Sequence, residues 1–265
     1  MTILFSTDNK FSTHLEVALC SIYENNPPVF NVFVADGGIS DDNKVRFKKI
    51  EQHYGFKIQW IDVYESKLQG LPMLPTLSNA SYYRLLVGDL LPLCSRVLYL
   101  DCDVVVDKLL LPLWRNKTKH TISAVSDPGI NDEQRQLLGV EPKGNYFNSG
   151  VMMIDVNKWI RQDIGNITLD YLRHNKEKIV YLDQDALNAV LCGKWTHLPL
   201  EYNVVIHFYK GHGYHGNADM FTLKQCQHAV NNAVIIHFAG HDKPGNHPCA
   251  DIYLKYAAIR DAIIK

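Results

Sequence analysis

Asp101 and Asp103 are the residues of this chain whose type and spacing point most directly to chemistry. They close the run Val97-Leu98-Tyr99-Leu100-Asp101-Cys102-Asp103 and are followed by Val104, Val105 and Val106. A continuous β-favouring apolar run predicts a strand buried on both faces. Side chains alternate along a strand, so the two aspartates are expected on the same side. Two carboxylates at the edge of an apolar core stay ionised cheaply only with a cation between them. A divalent-metal site at the end of a central strand follows. Asp-x-Asp alone leaves open the competing reading of two exposed aspartates that open a turn.

A third candidate ligand comes from the histidine-rich last third of the chain. His237 ends the apolar run Val234-Ile235-Ile236 much as Asp103 ends its own run. Carboxylate and imidazole presented from two strand ends make a mixed oxygen and nitrogen site, which suits manganese better than calcium. His207, His212 and His215 lie in a Gly/His/Tyr-rich stretch read as a substrate-touching loop, with a second metal site as the lesser alternative.

The elements that must position these groups alternate. Thr2 to Phe5 reads as a strand, and Thr13-His14-Leu15-Glu16 as a capping box opening a helix. Val29 to Ala35 reads as a second strand, Ser40 to His53 as a helix capped by its serine, and Lys57 to Val63 as a third strand. This order predicts a parallel α/β sheet with ligands beyond the strands' carboxyl ends. Further along, Ser81 to Gly88 is expected to be a short helix carrying Arg84, and Thr121 to Val125 a strand ending at Asp127-Pro128-Gly129. Val151 to Asp155 reads as another buried strand. A helical stretch from Asn157 is expected to break near Gly165, and Asp183-Gln184-Asp185 to open a helix ending at Gly193. Asp251 to Lys265 reads as a terminal helix packed on the body. No repeat or linker interrupts the 265 residues, so a single domain is expected.

Composition excludes several classes of partner. With 27 basic and 28 acidic residues the formal net charge is −1, and no basic stripe supports nucleic-acid binding. No apolar stretch approaches the roughly 20 residues of a membrane span. Met1 to Phe5 lacks the basic lead of a signal peptide, and the six cysteines show no paired spacing. A cytoplasmic protein with reduced thiols is expected, with at most peripheral association at the inner face of a membrane.

Two chemistries use a strand ending in Asp-x-Asp. One is that of the haloacid dehalogenase phosphatases, with magnesium beside a nucleophilic aspartate. Three strands precede the motif here, however, and Lys243 follows the downstream acidic pair rather than preceding it. The other is glycosyl transfer from a nucleotide sugar, in which a carboxylate-held metal neutralises the departing diphosphate.

Seven segments stand in an order that resembles glycosyltransferase family 8. They are Phe5-Ser6-Thr7-Asp8-Asn9, Asp36-Gly37-Gly38-Ile39-Ser40, Tyr82-Tyr83-Arg84-Leu85, Val97 to Asp103, Tyr146-Phe147-Asn148-Ser149-Gly150-Val151, Tyr181-Leu182-Asp183-Gln184-Asp185 and His237-Phe238-Ala239-Gly240-His241-Asp242-Lys243-Pro244. The chain is most similar to that family's retaining bacterial lipooligosaccharide and lipopolysaccharide α-galactosyltransferases.

The resemblance implies an α/β GT-A fold, one Rossmann-like nucleotide-sugar-binding domain with a mixed, mostly parallel sheet and a C-terminal helix. The nucleotide would occupy the half up to about residue 105, and the sugar and acceptor the half from about residue 106 to 265. Asp101, Asp103 and His237 would hold manganese, or magnesium, against the diphosphate of UDP-galactose or UDP-glucose. Thr7, Asp8, Asn9 and Lys10 would line the uracil pocket, and Cys102 would meet the ribose through its backbone. Arg84, Asn148 and Asp183 would hold the sugar hydroxyls, with Gln184 beside the anomeric carbon. Gly240 and Lys243 would bind the diphosphate. The acceptor would be a glycan or glycolipid such as lipopolysaccharide. Taken singly, Asp183 also reads as a helix N-cap, Arg84 as a surface ion pair and Asn148 as turn chemistry. Two further alternatives stand beside the transferase: a UDP-sugar-binding protein without transferase activity, and the phosphatase. The amide of Gln184 is a poor nucleophile, which points to front-side attack; Asp185 is the carboxylate that would serve a double displacement.

Overall fold

The computed structural model describes residues 1–27, 30–75, 77–141, 144–209, 220–240 and 244–265. Four parallel strands form one half of its main sheet: β1 (Thr2–Asp8), β2 (Asn31–Gly37), β3 (Ile58–Asp62) and β4 (Arg96–Leu100). Past these come β5 (Val104–Val106), β6 (Ile122–Ser126), β7 (Phe147–Asp155), β8 (Thr196–His197) and β9 (Ile235–His237). The main sheet has seven strands in the order β3-β2-β1-β4-β7-β6-β8, and β5 and β9 form a separate antiparallel pair. β7 runs antiparallel to both β4 and β6, so the sheet is mixed but mostly parallel, as expected.

Helices cover both faces, which is why the strands read as continuous apolar runs. Ile3 and Phe5, Leu98 and Leu100, and Val151 and Met153 enter one core. The alternate residues Leu4, Val97, Tyr99, Met152 and Ile154 enter the other. Helices Ser12–Asn25, Asp41–Tyr54 and Ala250–Ile264 lie over the first core. Leu182–Leu191 and Ile164–His174 lie over the second.

Several local expectations change. The run through Asp101 is not one strand. β4 stops at Leu100, Asp101 to Asp103 turn out of the sheet, and β5 continues in the other sheet. The helix assigned to Asn157 onward breaks at Gln162 and Asp163 rather than at Gly165, where Asp163 adopts φ +52°. Gly165 instead lets the chain approach Leu85, since a Cβ there would lie 2.5 Å from that residue's carbonyl oxygen.

The capping box expected at Thr13 is also absent. The helix begins at Ser12 without a side-chain cap, and Glu16 is fully buried. Its Oε2 pairs with Arg46 at 2.7 Å and Arg260 at 2.9 Å, which ties the two N-terminal helices to the C-terminal one. Burial pushes the Glu16 carboxyl above its usual value, against the pull of both arginines. Removing one member of such a cluster leaves a buried charge uncompensated. Glu16→Ala is therefore expected to cost about 3 kcal/mol, seen as a lower midpoint in chemical denaturation. An unchanged midpoint would mean that the cluster does not hold these helices together. Among the described residues no helix is long and apolar enough to cross a membrane.

Candidate active site

The carboxyl ends of β1, β2 and β4 share one edge of the sheet. Register brings the start of β7 to the same edge, where the Asp101 amide donates to the Gly150 carbonyl at 2.8 Å. The pairing of β5 with β9 sets Val104 opposite His237 and so brings the imidazole to Asp103. The potential ligand atoms of Asp101, Asp103 and His237 all lie within 4.8 Å of one another. His237 Nε2 is 3.3 Å from Asp103 Oδ1 and 3.6 Å from Asp101 Oδ2. Adjacent ligands of a six-coordinate ion with bonds of about 2.1 Å stand about 3 Å apart, so these donors fit a small divalent cation. The two aspartates converge because the chain leaves the sheet between them, not through strand alternation.

Gly150 makes the pocket possible. A Cβ at that position would lie 2.2 Å from His237 Cε1 and 2.5 Å from Asp101 Oδ2. A residue with a side chain fits there only if His237, Asp101 or both are displaced.

Arg84 stands behind the pocket, on a 3₁₀ helix (Asn79–Leu86). It is buried rather than a surface residue. Its Nη2 is 2.8 Å from Asp101 Oδ1 and its Nε 3.1 Å from Asp183 Oδ2, while Nη1 donates to the Ser149 carbonyl at 2.9 Å. The guanidinium lies 4.7 Å from the Tyr99 ring centre, and the Tyr99 hydroxyl donates to Asp101 Oδ1 at 2.9 Å. Burial lowers the Arg84 value, but the carboxylates of Asp101 and Asp183 more than offset it and hold the guanidinium charged. Asp183 does not cap its helix. Its Oδ2 accepts from Ser149 Oγ at 2.9 Å, and burial, opposed by Arg84, pushes its carboxyl up to about 6.

Gln184 lies alongside. Its Oε1 accepts from the Ser149 amide at 3.1 Å, and its Nε2 donates to Asp127 Oδ2 at 3.0 Å. Asn148 lies within β7 rather than in a turn, and its Nδ2 donates to the same Asp127 oxygen at 3.0 Å. Asp185 is fully buried and encircled by donors: the Tyr146 hydroxyl, Gln134 Nε2 and the amides of Val180 and Tyr181. A carboxylate so engaged is a structural anchor for the start of its helix.

At the β1 end, Thr7 is buried and Asp8 half-buried, beside Gly37 of β2. Asp8 Oδ1 accepts from the Phe11 amide at 3.0 Å, and Asn9 Oδ1 from the Ser40 amide at 2.9 Å and Asn43 Nδ2 at 2.7 Å. Asn9 thus fixes the loop to the following helix. The Lys10 ammonium lies 5.7 Å from the Phe11 ring centre, and Cys102 is buried between the two aspartates. Gly240 closes the stretch after β9 with φ +85°. Lys243, His212 and His215 lie outside the described residues. His207 sits in the short helix Ile206–Tyr209 against Gly129, where a Cβ would meet its ring at 2.6 Å.

Two residues of this network were not singled out in the sequence. Asp127 ends an apolar strand as Asp101 does, so the same logic reaches it. Asn203 carried no such signal. It lies just after a 3₁₀ turn (Leu200–Tyr202), and its Oδ1 is 3.0 Å from His237 Nδ1.

The family model described as Glycosyl transferase family 8 matches residues 2–247. General stress protein A of Bacillus subtilis (strain 168) is 30% identical over 97% of this chain and 92% of its own length. A lipopolysaccharide 1,2-glucosyltransferase of Escherichia coli (strain K12) is 29% identical over 77% of this chain and 62% of its own. Among solved structures, the galactosyltransferase LgtC in complex with donor and acceptor sugar analogues superposes with a TM-score of 0.84 at 28% identity. It covers 98% of this chain and 96% of LgtC.

Proposed function

The chain belongs to glycosyltransferase family 8, and from that premise we propose that it transfers a hexose from UDP-galactose or UDP-glucose to a glycan acceptor with retention of configuration. Manganese is the proposed cation, with magnesium as a substitute, held by Asp101, Asp103 and His237. The single observation that carries this reading is the convergence of those three ligands in a pocket joined through Arg84 to Asp183 and thence to Gln184. When bound, the ion would offset the charge of the departing diphosphate.

The remaining roles are those that the likeness to the family implies. Thr7, Asp8, Asn9, Lys10 and the Cys102 backbone are assigned to the nucleoside, and Gly240 and Lys243 to the diphosphate. Arg84, Asn148 and Asp183 are assigned to the sugar hydroxyls. Gln184 Oε1 uses one lone pair on the Ser149 amide and keeps another for positive charge developing at the anomeric carbon. The acceptor hydroxyl attacks from the face on which UDP departs, and the leaving phosphate oxygen takes its proton. The four donors around Asp185 support this front-side course over a covalent intermediate on that residue.

A lipopolysaccharide or another cell-surface glycoconjugate is the proposed acceptor class, by likeness to the lipopolysaccharide 1,2-glucosyltransferase of Escherichia coli. Family membership displaces the phosphatase alternative. UDP release from UDP-galactose and from UDP-glucose, with and without Mn²⁺, tests the reading. Turnover of at least one donor that depends on the metal is expected. Binding of either donor with no hydrolysis or transfer would leave a sugar-binding protein instead.

A further inference from the structure

We infer that Asn203 is a positioning residue that holds His237 in the one tautomer able to turn the Nε2 lone pair toward Asp101 and Asp103. Hydrogen-bond polarity along a buried row of side chains fixes that tautomer. Asn148, Asn203 and His237 are exposed by 7%, 1% and 2%, so water cannot readily correct a wrong orientation.

The row is anchored at two points of fixed character. Asp127 Oδ2 is a carboxylate oxygen 3.0 Å from Asn148 Nδ2, and a carboxylate accepts. The Gly150 amide lies 3.0 Å from Asn148 Oδ1, and a backbone N–H can only donate. Both anchors demand the same orientation of the Asn148 amide. Asn148 Oδ1 then also receives Asn203 Nδ2 at 2.9 Å, which fixes the Asn203 amide in turn. Its Oδ1 faces His237 Nδ1 at 3.0 Å. An amide oxygen only accepts, so Nδ1 carries the proton. The nitrogen left to bind a cation is Nε2, the one 3.3 Å and 3.6 Å from the two carboxylates. The other tautomer sets two lone pairs against each other across the Nδ1 contact, or turns both amides against the Gly150 N–H and the Asp127 carboxylate.

Backbone pairing puts Asn203 where it is needed. The His237 amide donates to the Val204 carbonyl at 3.0 Å, and the Val204 amide to that of Ile235 at 2.9 Å. The segment after the 3₁₀ turn therefore runs beside β9 as a third line of chain, with Asn203 facing the imidazole.

The consequence for metal affinity rests on the proposed metal site, but the tautomer itself can be read without metal. In metal-free protein labelled with ¹⁵N-histidine, long-range ¹H–¹⁵N spectra are expected to show His237 protonated at Nδ1, with or without a second proton on the Nε2 that faces the carboxylates of Asp101 and Asp103. His237→Gln identifies the signal. A bare Nδ1 with a protonated Nε2 overturns the inference. Mn²⁺ titration of the full chain then separates the two claims. Wild type that binds no Mn²⁺ contradicts the metal site and leaves the tautomer result standing. Where wild type binds, Asn203→Leu, which has similar volume and no acceptor, is expected to weaken Mn²⁺ affinity about 10-fold or more. Asn203→Asp keeps an acceptor for Nδ1–H at the cost of the bond to Asn148 Oδ1, and is expected to lose less affinity than the leucine variant. A purely structural role predicts the reverse order, because a new carboxylate in this buried place would harm packing at least as much as leucine. Equal affinity of the leucine variant and wild type, or equal losses in both variants, counts against the inference.

Discussion

Asp103→Ala is expected to abolish Mn²⁺-dependent UDP binding and to lower kcat/KM by about 10³-fold, the scale of losing one charge-stabilising group in a water-poor site. The side chain contributes its Oδ1 to the pocket, while the backbone carbonyl that receives the Phe238 amide survives the substitution. The melting temperature is therefore expected to stay near that of wild type. Asp101→Ala is the less clean experiment. It removes a ligand but also takes the nearest carboxylate from buried Arg84, whose Nη2 lies 2.8 Å away. Arg84 keeps Asp183, so that variant should lose stability together with activity, but less than the about 3–5 kcal/mol of a buried charge left wholly unpaired. Steady-state rates and thermal melts of the two proteins side by side separate metal loss from ion-pair loss. An Asp103→Ala enzyme of undiminished activity would remove the metal from the account.

Gly150→Ala should be nearly as damaging, although it adds a single methyl group to a strand. The new Cβ would stand 2.2 Å from His237 Cε1 and 2.5 Å from Asp101 Oδ2, so at least one ligand has to move. β7 cannot retreat, because it is hydrogen-bonded between β4 and β6 in the middle of the sheet. Displacement by about 1 Å of groups that must converge on a reacting centre can cost about 10²-fold in rate. Mn²⁺ affinity and kcat/KM are both expected to fall by about that factor or more. The overall fold should persist, as judged by circular dichroism. Normal metal affinity in this variant would mean that the His237 and Asp101 positions are not those used for binding.

Much of this site was legible in the sequence because its chemistry sits at strand ends, where a polar residue interrupts an apolar run. Asp101, Asp103 and His237 all carry that signature, and the structure brings them together. Alternation along a continuous strand does not align the two aspartates; a turn between two different sheets does. Local pattern does not encode which sheet a valine run joins, since Val104 to Val106 pair with a segment about 130 residues away. The same limit applies to Glu16. Its spacing from Thr13 matches a capping box, but its partners, Arg46 and Arg260, are visible only once three helices pack. Asp185 reads in the sequence as an available carboxylate, but four donors from distant segments and its own helix start close around it. Asn203 had nothing to distinguish it, because an amide acquires meaning only from the polarity of its neighbours.

The central claim is that Asp101, Asp103 and His237 hold a divalent cation against the diphosphate of a UDP-sugar. Calorimetric titration of the wild-type chain with UDP, in the presence of Mn²⁺ and again after exhaustive chelation, tests it most directly. The account predicts saturable binding with the metal and a loss of at least about 10-fold in affinity without it, or about 1.4 kcal/mol. UDP binding of equal affinity in the two conditions would contradict it.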